Sequence, residues 1–359
     1  MSTIYIDKNI DVAVNFDNKI LDIMDLNDDI LKNIYRARVE KILKNQKSAF
    51  VNLGEEYGFL ELPGNCELRE QDEILVQVKK IKGDDKYVEL SAEISLEGEF
   101  IIFFPEKKFI KYSKKLNSDP RNKLREFAKK ENLRGVLFRS KAELATEEDI
   151  LEEYKSLQNL SVDIISQRNK RPTPKLIYRK DKLKSFLNAC DFENILTNDM
   201  EIHKKYKNDF DVKFDDNFRI IYNADILRDY KSLFSKKIEL EDGGDIIIEQ
   251  TEALCSIDVN SSGYKSNLNH EDHIYSINKK AAEEIARQIM LRNISGIIII
   301  DTINMNSKEN REKLLADYRE YLKRDNVFSK VYGYTALGLI EISRENRGYA
   351  LIDKLGEQI

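Results

Sequence analysis

The sequence predicts a multidomain α/β protein with a small β-barrel set into it. Three observations lead there. About five short strands of alternating polarity fall between residues 33 and 92, the pattern of a small barrel. Helix-like and strand-like stretches alternate over most of the remaining chain. In the C-terminal third, two apolar strands flank an amphipathic helix, and each closes on an aspartate, Asp258 or Asp301.

The 359 residues suffice for roughly two or three domains, and 41% of them are hydrophobic, enough for sizeable cores. A formal net charge of −5 neither favours nor excludes a polyanionic partner. The local distribution says more. Residues 101–140 carry twelve Lys/Arg against four Asp/Glu, and residues 167–184 carry eight against one. Such blocks are commonly solvated faces, but two of them in one half of an acidic chain also suit a phosphate-rich ligand. Cys66, Cys190 and Cys255 are isolated, so neither a disulfide framework nor a zinc knuckle is indicated. The N-terminus lacks the basic and apolar regions of a signal peptide, and runs such as Ile297 to Ile300 are too short to span a bilayer. The expectation is a cytoplasmic protein with reduced cysteines and no membrane segment.

The elements follow in order. "IYIDKNIDVAVNFDNKILDI" alternates as hairpin strands do. In the barrel stretch, Tyr35, Ala37 and Val39 alternate with charged neighbours, then Ala49, Val51 and Leu53 alternate again. Gly54 and Gly58 are expected in the next turn, and Gly83-Asp84-Asp85 in a later hairpin. A helix is expected from about Pro120 to Asn132, a strand through "LRGVLFRS", and a long helix over 143–171 stopped at Pro172 and Pro174. Residues 175–240 mix strand-like and helix-like pieces.

The C-terminal third is clearer. "GGDIIIEQTEALCSIDVN" reads as strand, turn, strand. Asn269 is a plausible N-cap, and Ile274, Ile277, Ala281, Ile285 and Ile289 share one face of the helix that follows. Gly296 is expected to end that helical region. "IIIID" is expected to be a strand buried on both faces of a parallel sheet. Ser307 can cap another helix, with Leu314, Leu315, Tyr318, Tyr321 and Leu322 as its stripe, before strands near 327–332 and 337–343.

Two strands joined by a helix suggest a crossover that makes them parallel, with their C-terminal ends at one sheet edge. Asp258 and Asp301 would then share that edge. Two carboxylates there repel unless a cation sits between them, and Mg²⁺ commonly takes one or two carboxylates plus water and phosphate oxygens. Asn260 lies on the same side of its strand as Asp258, so its amide could orient that carboxylate. An aspartate at a strand end can also simply cap the next loop.

At this point "GGDIIIEQTEALCSIDVNSSG", "NKKAAEEIARQIMLRNISGIIIIDTINM" and "GYTALGLIEISRENR" resemble the ribonuclease E/G family in order, spacing and wording. Upstream, "NIYRARVEKILKNQKSAFVNLGEEYGFLEL" is similar to that family's inserted barrel, and "GVLFRS" to its "GLIVRT" segment. The resemblance implies a DNase I-like catalytic α/β domain over 236–359 and an RNase H-like domain from 1–32 with 175–235. It further implies an OB-fold RNA-binding barrel over 33–92 and a 5′-monophosphate sensor region over 93–174.

The resemblance also implies roles. Asp258 and Asp301 match the aspartates that bind a catalytic Mg²⁺, and Asn260 the asparagine that orients the first. The family hydrolyses phosphodiesters in single-stranded, A/U-rich RNA, leaving a 5′-phosphate and a 3′-hydroxyl. Phe50, Phe59 and Lys86 match barrel residues that contact RNA. Phe50 has the parity opposite to Ala49, Val51 and Leu53, so it faces outwards if they face in; Phe59 can equally be core, and Lys86 an ordinary turn lysine. Arg139 and Ser140 match an Arg-Thr pair that binds the RNA 5′-monophosphate, and a forked guanidinium beside a hydroxyl suits that ligand. Lys114 and Lys115 stand where the family has paired arginines; a solvated basic face is the other reading.

The chain departs from the family pattern in places. "IDTINM" replaces the usual IDFIDM, so Asn304 stands where a further Asp is common. The basic residue expected soon after "DVN" is displaced, with Lys265 nearest, and Phe328 stands where a basic residue is frequent. A CPxC zinc-link motif does not follow, so no zinc is expected, and any homodimer would form without a zinc link. These departures leave a second reading open, a catalytically weakened RNA-binding paralogue. His203, His270 and His273 lack metal-like spacing and read as surface or helix-start residues.

Overall fold

A computed structural model describes residues 2–27, 30–62, 68–81, 87–114, 116, 118–240, 243–261, 270–325, 327–346 and 350–355. The chain divides into two units, Met1–Asn27 with Asp191–Ile359, and Asp28–Cys190. Lys86, Lys115, Lys265, Cys66, Asn269 and the turn at 83–85 lie outside the described residues.

The first unit opens with a meander, β1 (Thr3–Asp7), β2 (Val12–Asp17) and β3 (Lys19–Asp25). Asn18, at φ 61, makes the tight β2–β3 turn; asparagine tolerates that left-handed conformation better than most side chains.

The second unit begins with β4 (Ile34–Leu43), β5 (Ser48–Asn52), β6 (Tyr57–Glu61), β7 (Glu73–Lys80) and β8 (Val88–Ser91). They pair in the order β4-β5-β6-β8-β7, and β7 returns to β4, so the five strands close into a barrel consistent with an OB fold. Ala37, Val39, Ala49, Val51, Leu60, Val76, Val78 and Leu90 fill its interior. Gly58 does not lie in a turn as the sequence suggests. It sits inside β6, where a Cβ would meet the Leu90 side chain at 2.4 Å, so the missing side chain makes room for core packing.

Next come β9 (Leu96–Glu97), β10 (Ile101–Phe103), β11 (Ile110–Tyr112), α1 (Ser118–Lys130), β12 (Val136–Phe138) and α2 (Glu147–Ser166). The four strands form a sheet in the order β11-β12-β10-β9, with β11 and β12 parallel. Leu124, Phe127, Ile150 and Ile164 from the helices pack with Ile101, Val136 and Phe138 from the sheet. Thr146 and Asp149 form a capping box at the start of α2. β13 (Lys175–Tyr178) then adds to the outside of β4, and α3 (Lys182–Leu187) follows.

Glu97 sits between two ammonium groups, Lys32 at 3.1 Å and Lys180 closer still. Burial opposes its ionisation, but Lys180 and then Lys32 outweigh that and hold its carboxyl down at about 2. A carboxyl depressed in the folded state stabilises fully above its ordinary value of 4.5, and that contribution is lost as the pH falls towards 2. Glu97→Gln is therefore expected to be destabilising at pH 6, with the difference in thermal midpoint from wild type shrinking as the pH is lowered from 4.5 to 2. A constant difference across that range would contradict the assignment.

The chain returns to the first unit with β14 (Asn194–Thr197), α4 (Met200–Tyr206), β15 (Val212–Phe214) and α5 (Ala224–Ser232). β14 lies parallel to β1 and β15 parallel to β14, giving the sheet order β15-β14-β1-β2-β3. Val12, Val14, Ile20, Ile226 and Tyr230 pack beneath it.

A second sheet of this unit holds β16 (Lys237–Glu239), β17 (Asp245–Gln250), β18 (Leu254–Asn260), and, after α6 (His270–Leu291), β19 (Gly296–Asp301). Then follow α7 (Lys308–Tyr321), β20 (Ser329–Tyr334), β21 (Ile340–Arg344) and a short α8 (Leu351–Leu355). The order is β16-β17-β18-β19-β21-β20, and only β18 and β19 run parallel, joined by the expected crossover through α6. Helices α6 and α7 cover one face. Ile246, Ile248, Ile257, Ile298, Ile300, Ile340 and Ile342 are buried against them, each contributing roughly 1.5–3 kcal/mol.

The sequence expectation for β19 needs correction. It is buried on one face only: Ile298 and Ile300 are fully buried, while Ile297 is 49% exposed. Its other neighbour, β21, is antiparallel, so no helix layer is required on the second face. The end of α6 also differs. The helix stops at Leu291, and Asn293, at φ 51, supplies the left-handed residue; Gly296 already belongs to β19. Ser307 caps α7 as expected, accepting from Asn310 N–H.

Candidate active site

Parallel register sets Asp258 directly opposite Asp301 on adjacent strands, roughly 5 Å apart at the backbone. Alternation decides where they point. Cys255, Ile257 and Val259 of β18, and Ile298 and Ile300 of β19, face the helices. The two aspartates therefore project from the other face, where both are exposed. Among the described residues, neither forms an ion pair.

Asn260 stands two residues beyond Asp258 and on the same side. Its Nδ2 donates to Asp258 Oδ2 at 2.9 Å and reaches Asp245 Oδ1 at 3.3 Å. Asp245, 8% exposed and opposite Asn260 in register, pairs with Lys237 at 3.0 Å. A polar chain thus runs Lys237–Asp245–Asn260–Asp258 across three strands, with the ammonium offsetting the charge of the buried acid. Sequence reasoning missed Asp245. The signal was its alternation parity in "GGDIIIEQ", but its partner lies on the antiparallel neighbour.

The loop after β19 is clamped to α6. Asn278, fully buried, donates to Ile303 O at 2.7 Å and accepts from Ile303 N at 3.0 Å. Glu271 accepts from the N–H groups of Asn306 and Ser307 at 3.1 and 3.2 Å. The helix that joins the two strands therefore also holds the chain just beyond Asp301.

Asp258 and Asp301 are the residues that could hold a divalent cation. Two adjacent carboxylates, one oriented by an amide, suit a hard, oxygen-seeking ion that completes its shell with water and ligand oxygens. Asn304 is exposed in the loop, and no group of three or more His, Cys, Asp or Glu side chains able to hold a metal occurs among the described residues.

A second cluster lies on the barrel. Phe50 and Phe59 are cross-strand neighbours, and both point outward while Ala49, Val51 and Leu60 point in. Their rings meet edge to face at 5.7 Å. Tyr87, 56% exposed, packs against Phe50 at 4.8 Å. It was not anticipated, because strand register alone brings it to Phe50.

A third cluster lies at the ends of β11 and β12. Since Tyr112 pairs with Phe138, the residues that follow each strand emerge at one edge: Ser113 and Lys114 beside Arg139 and Ser140. Ser113 N donates to Phe138 O at 2.8 Å. Lys114 and Ser140 are exposed and Arg139 half-buried. Arg121 of α1 joins them, its Nη2 3.4 Å from Ser113 O and its guanidinium 5.7 Å from the Tyr112 ring. Arg121 was visible in the sequence only as part of the basic block.

Paired acids that need a cation, surface rings that suit bases, and a cationic strand edge that suits phosphate fit an enzyme acting on nucleic acid. Comparison with known proteins makes that class specific. The chain belongs to the ribonuclease E/G family, a family of endoribonucleases, and the match extends over residues 95–347. It is 29% identical to ribonuclease G of Haemophilus influenzae, over 88% of this chain and 72% of that protein. It is 28% identical to ribonuclease G of Escherichia coli K12, over 88% and 73%. Ribonuclease E of a Synechocystis species is 30% identical over 90% of this chain, which spans 53% of that longer protein. No helix among the described residues is long and apolar enough to cross a membrane.

Proposed function

We propose that the protein hydrolyses phosphodiester bonds in single-stranded, A/U-rich RNA, in RNA processing or decay, using Mg²⁺ held by Asp258 and Asp301. The observation that carries this reading is the direct pairing of the two aspartates in register, exposed on one face and without an ion pair among the described residues. Bound there, the ion would lower the pKa of a water and take up charge developing on the phosphate. The chain's own residues do the positioning. Asp258 and Asp301 would offer oxygens from adjacent strands, and the Asn260 amide, donating to Asp258 Oδ2, fixes the rotamer of that carboxylate. Asp245 and Lys237 hold Asn260 in turn.

The same reading assigns Phe50 and Phe59, now with Tyr87, to stacking on bases, and Arg139, Ser140, Lys114 and Lys115 to the RNA 5′-monophosphate. It also takes the 236–359 segment as DNase I-like, and 1–32 with 175–235 as RNase H-like, flanking a barrel at 33–92 and a sensor region at 93–174. An antiparallel meander continued by two parallel strands supports the RNase H-like description.

The test is cleavage of a 5′-monophosphorylated A/U-rich RNA by the purified chain, with and without Mg²⁺. Metal-dependent cleavage is expected, and its absence would refute the catalytic reading. Asn304 in the following loop, with no third acid beside the pair among the described residues, favours the alternative of a weakened RNA-binding paralogue. That protein would bind the RNA and leave it intact.

Binding has its own prediction. Phe50→Ala and Tyr87→Ala are each expected to weaken single-stranded RNA binding by about 1–3 kcal/mol, the worth of one base–aromatic stack. Tyr87→Phe is expected to leave it unchanged. Fluorescence anisotropy with labelled RNA measures both, and equal losses for Tyr87→Ala and Tyr87→Phe would remove the stacking role.

A further inference from the structure

The turn between β9 and β10 lies beside Arg139 and is held from two sides. On one side, the amides of Glu99, Phe100 and Ile101 converge on a single carboxylate, that of Glu153 in α2. Glu153 Oε1 accepts from Glu99 N, and Oε2 accepts from Phe100 N and Ile101 N, each at 2.9 Å. Successive backbone amides aimed at one point make an anion-binding concavity, and here a side chain of the protein fills it. Gly98 permits the approach, since a Cβ there would lie 2.3 Å from the Glu153 carboxyl carbon.

On the other side, the same turn receives Arg139 twice. Arg139 N donates to Phe100 O at 2.8 Å, and its guanidinium Nη1 donates to Gly98 O at 2.5 Å. Among the described residues, the latter is the only hydrogen bond of the Arg139 side chain. Whatever fixes the Gly98 carbonyl therefore fixes the direction of the guanidinium.

We propose that Glu153 is a positioning residue for recognition of the RNA 5′-phosphate: its carboxylate locks the Gly98–Ile101 turn, and the Gly98 carbonyl aims Arg139 at the phosphate. Glu153 itself touches no RNA. The proposal rests on the reading of Arg139 as a 5′-phosphate ligand. A long, flexible side chain gains most from being held in its binding geometry beforehand, and a carbonyl on a rigid turn holds one nitrogen of the fork while leaving the others to the ligand.

Two RNAs of one sequence, one with a 5′-monophosphate and one with a 5′-hydroxyl, separate this role from a structural one. The full chain with Mg²⁺ is expected to prefer the monophosphate. Glu153→Gln keeps an oxygen for two of the amides but presents an N–H group to the third, while Glu153→Ala offers them nothing. The preference is expected to fall by about threefold for the first and about tenfold for the second, through KM and not kcat, with the 5′-hydroxyl substrate within about twofold of wild type. Gly98→Ala, which drives the turn off an intact Glu153, is expected to give the same selective loss and stands in if Glu153→Ala does not fold. Equal loss on both RNAs would make Glu153 merely structural, and an undiminished preference would show that Arg139 is aimed without it; either result overturns the proposal. A wild-type chain indifferent to the 5′ end would refute the phosphate-sensing reading itself, and the proposal with it, before any variant is compared.

Discussion

Asp258→Asn is expected to lower the rate of RNA cleavage by at least about 10³-fold, the scale on which lost electrostatic stabilisation of a transition state is felt, while RNA affinity stays within about twofold. The argument is geometric. The substitution keeps the size of the side chain and its hydrogen-bonding distance from Asn260, 2.9 Å in the native protein, so the strand has little reason to move. What changes is charge, at a place where, among the described residues, two acids stand side by side. Asp301→Asn is expected to match it, because the two occupy equivalent positions across a parallel pair. Asn260→Ala leaves both charges but frees the rotamer of one, and a loss of about 10–100-fold is the expected size for such a supporting group. Initial rates at several Mg²⁺ concentrations check all three. Near-normal cleavage by both Asp→Asn variants would move the chemistry elsewhere in the protein.

Arg36→Met is expected to destabilise residues 28–190 by about 1.5–3 kcal/mol, the scale of lost hydrogen bonds to a charged group. Arg36 is 1% exposed and points from β4 into the barrel's flank. Among the described residues, no carboxylate meets it there. Its guanidinium donates to Thr173 Oγ1 at 3.0 Å, Pro172 O at 2.5 Å and the Gln167 carbonyl at the end of α2. Methionine fills much of the volume but returns none of these hydrogen bonds, and water reaches the acceptors only in part, since they are part-buried. Amide hydrogen exchange in β4 and α2 reads the effect directly. Protection unchanged from wild type in both elements would mean that water replaces the guanidinium at no cost.

The parts legible in the sequence were those set by local periodicity. Alternation gave the outward direction of Phe50 and the shared side of Asp258 and Asn260. Two short apolar strands around an amphipathic helix implied the parallel pair, because that crossover has few other solutions. Long-range register was not legible. β13 joining β4, Asp245 meeting Asn260 and Tyr87 meeting Phe50 all depend on which strands lie side by side. The one-faced burial of β19 was missed for a related reason. A run of isoleucines looks the same whether a second helix layer covers it or not, and an antiparallel neighbour settles the matter.

The pairing of β1 with β14, Thr3 opposite Asn194, has a consequence in time. β1 and the meander it opens cannot complete their sheet until a partner some 190 positions later in the chain is made. At typical synthesis rates that wait is on the order of ten seconds or more. Meanwhile residues 28–190, which form a compact unit of their own, have all been made. The inserted unit is thus ready to fold ahead of its host, while the β1–β3 meander waits for β14.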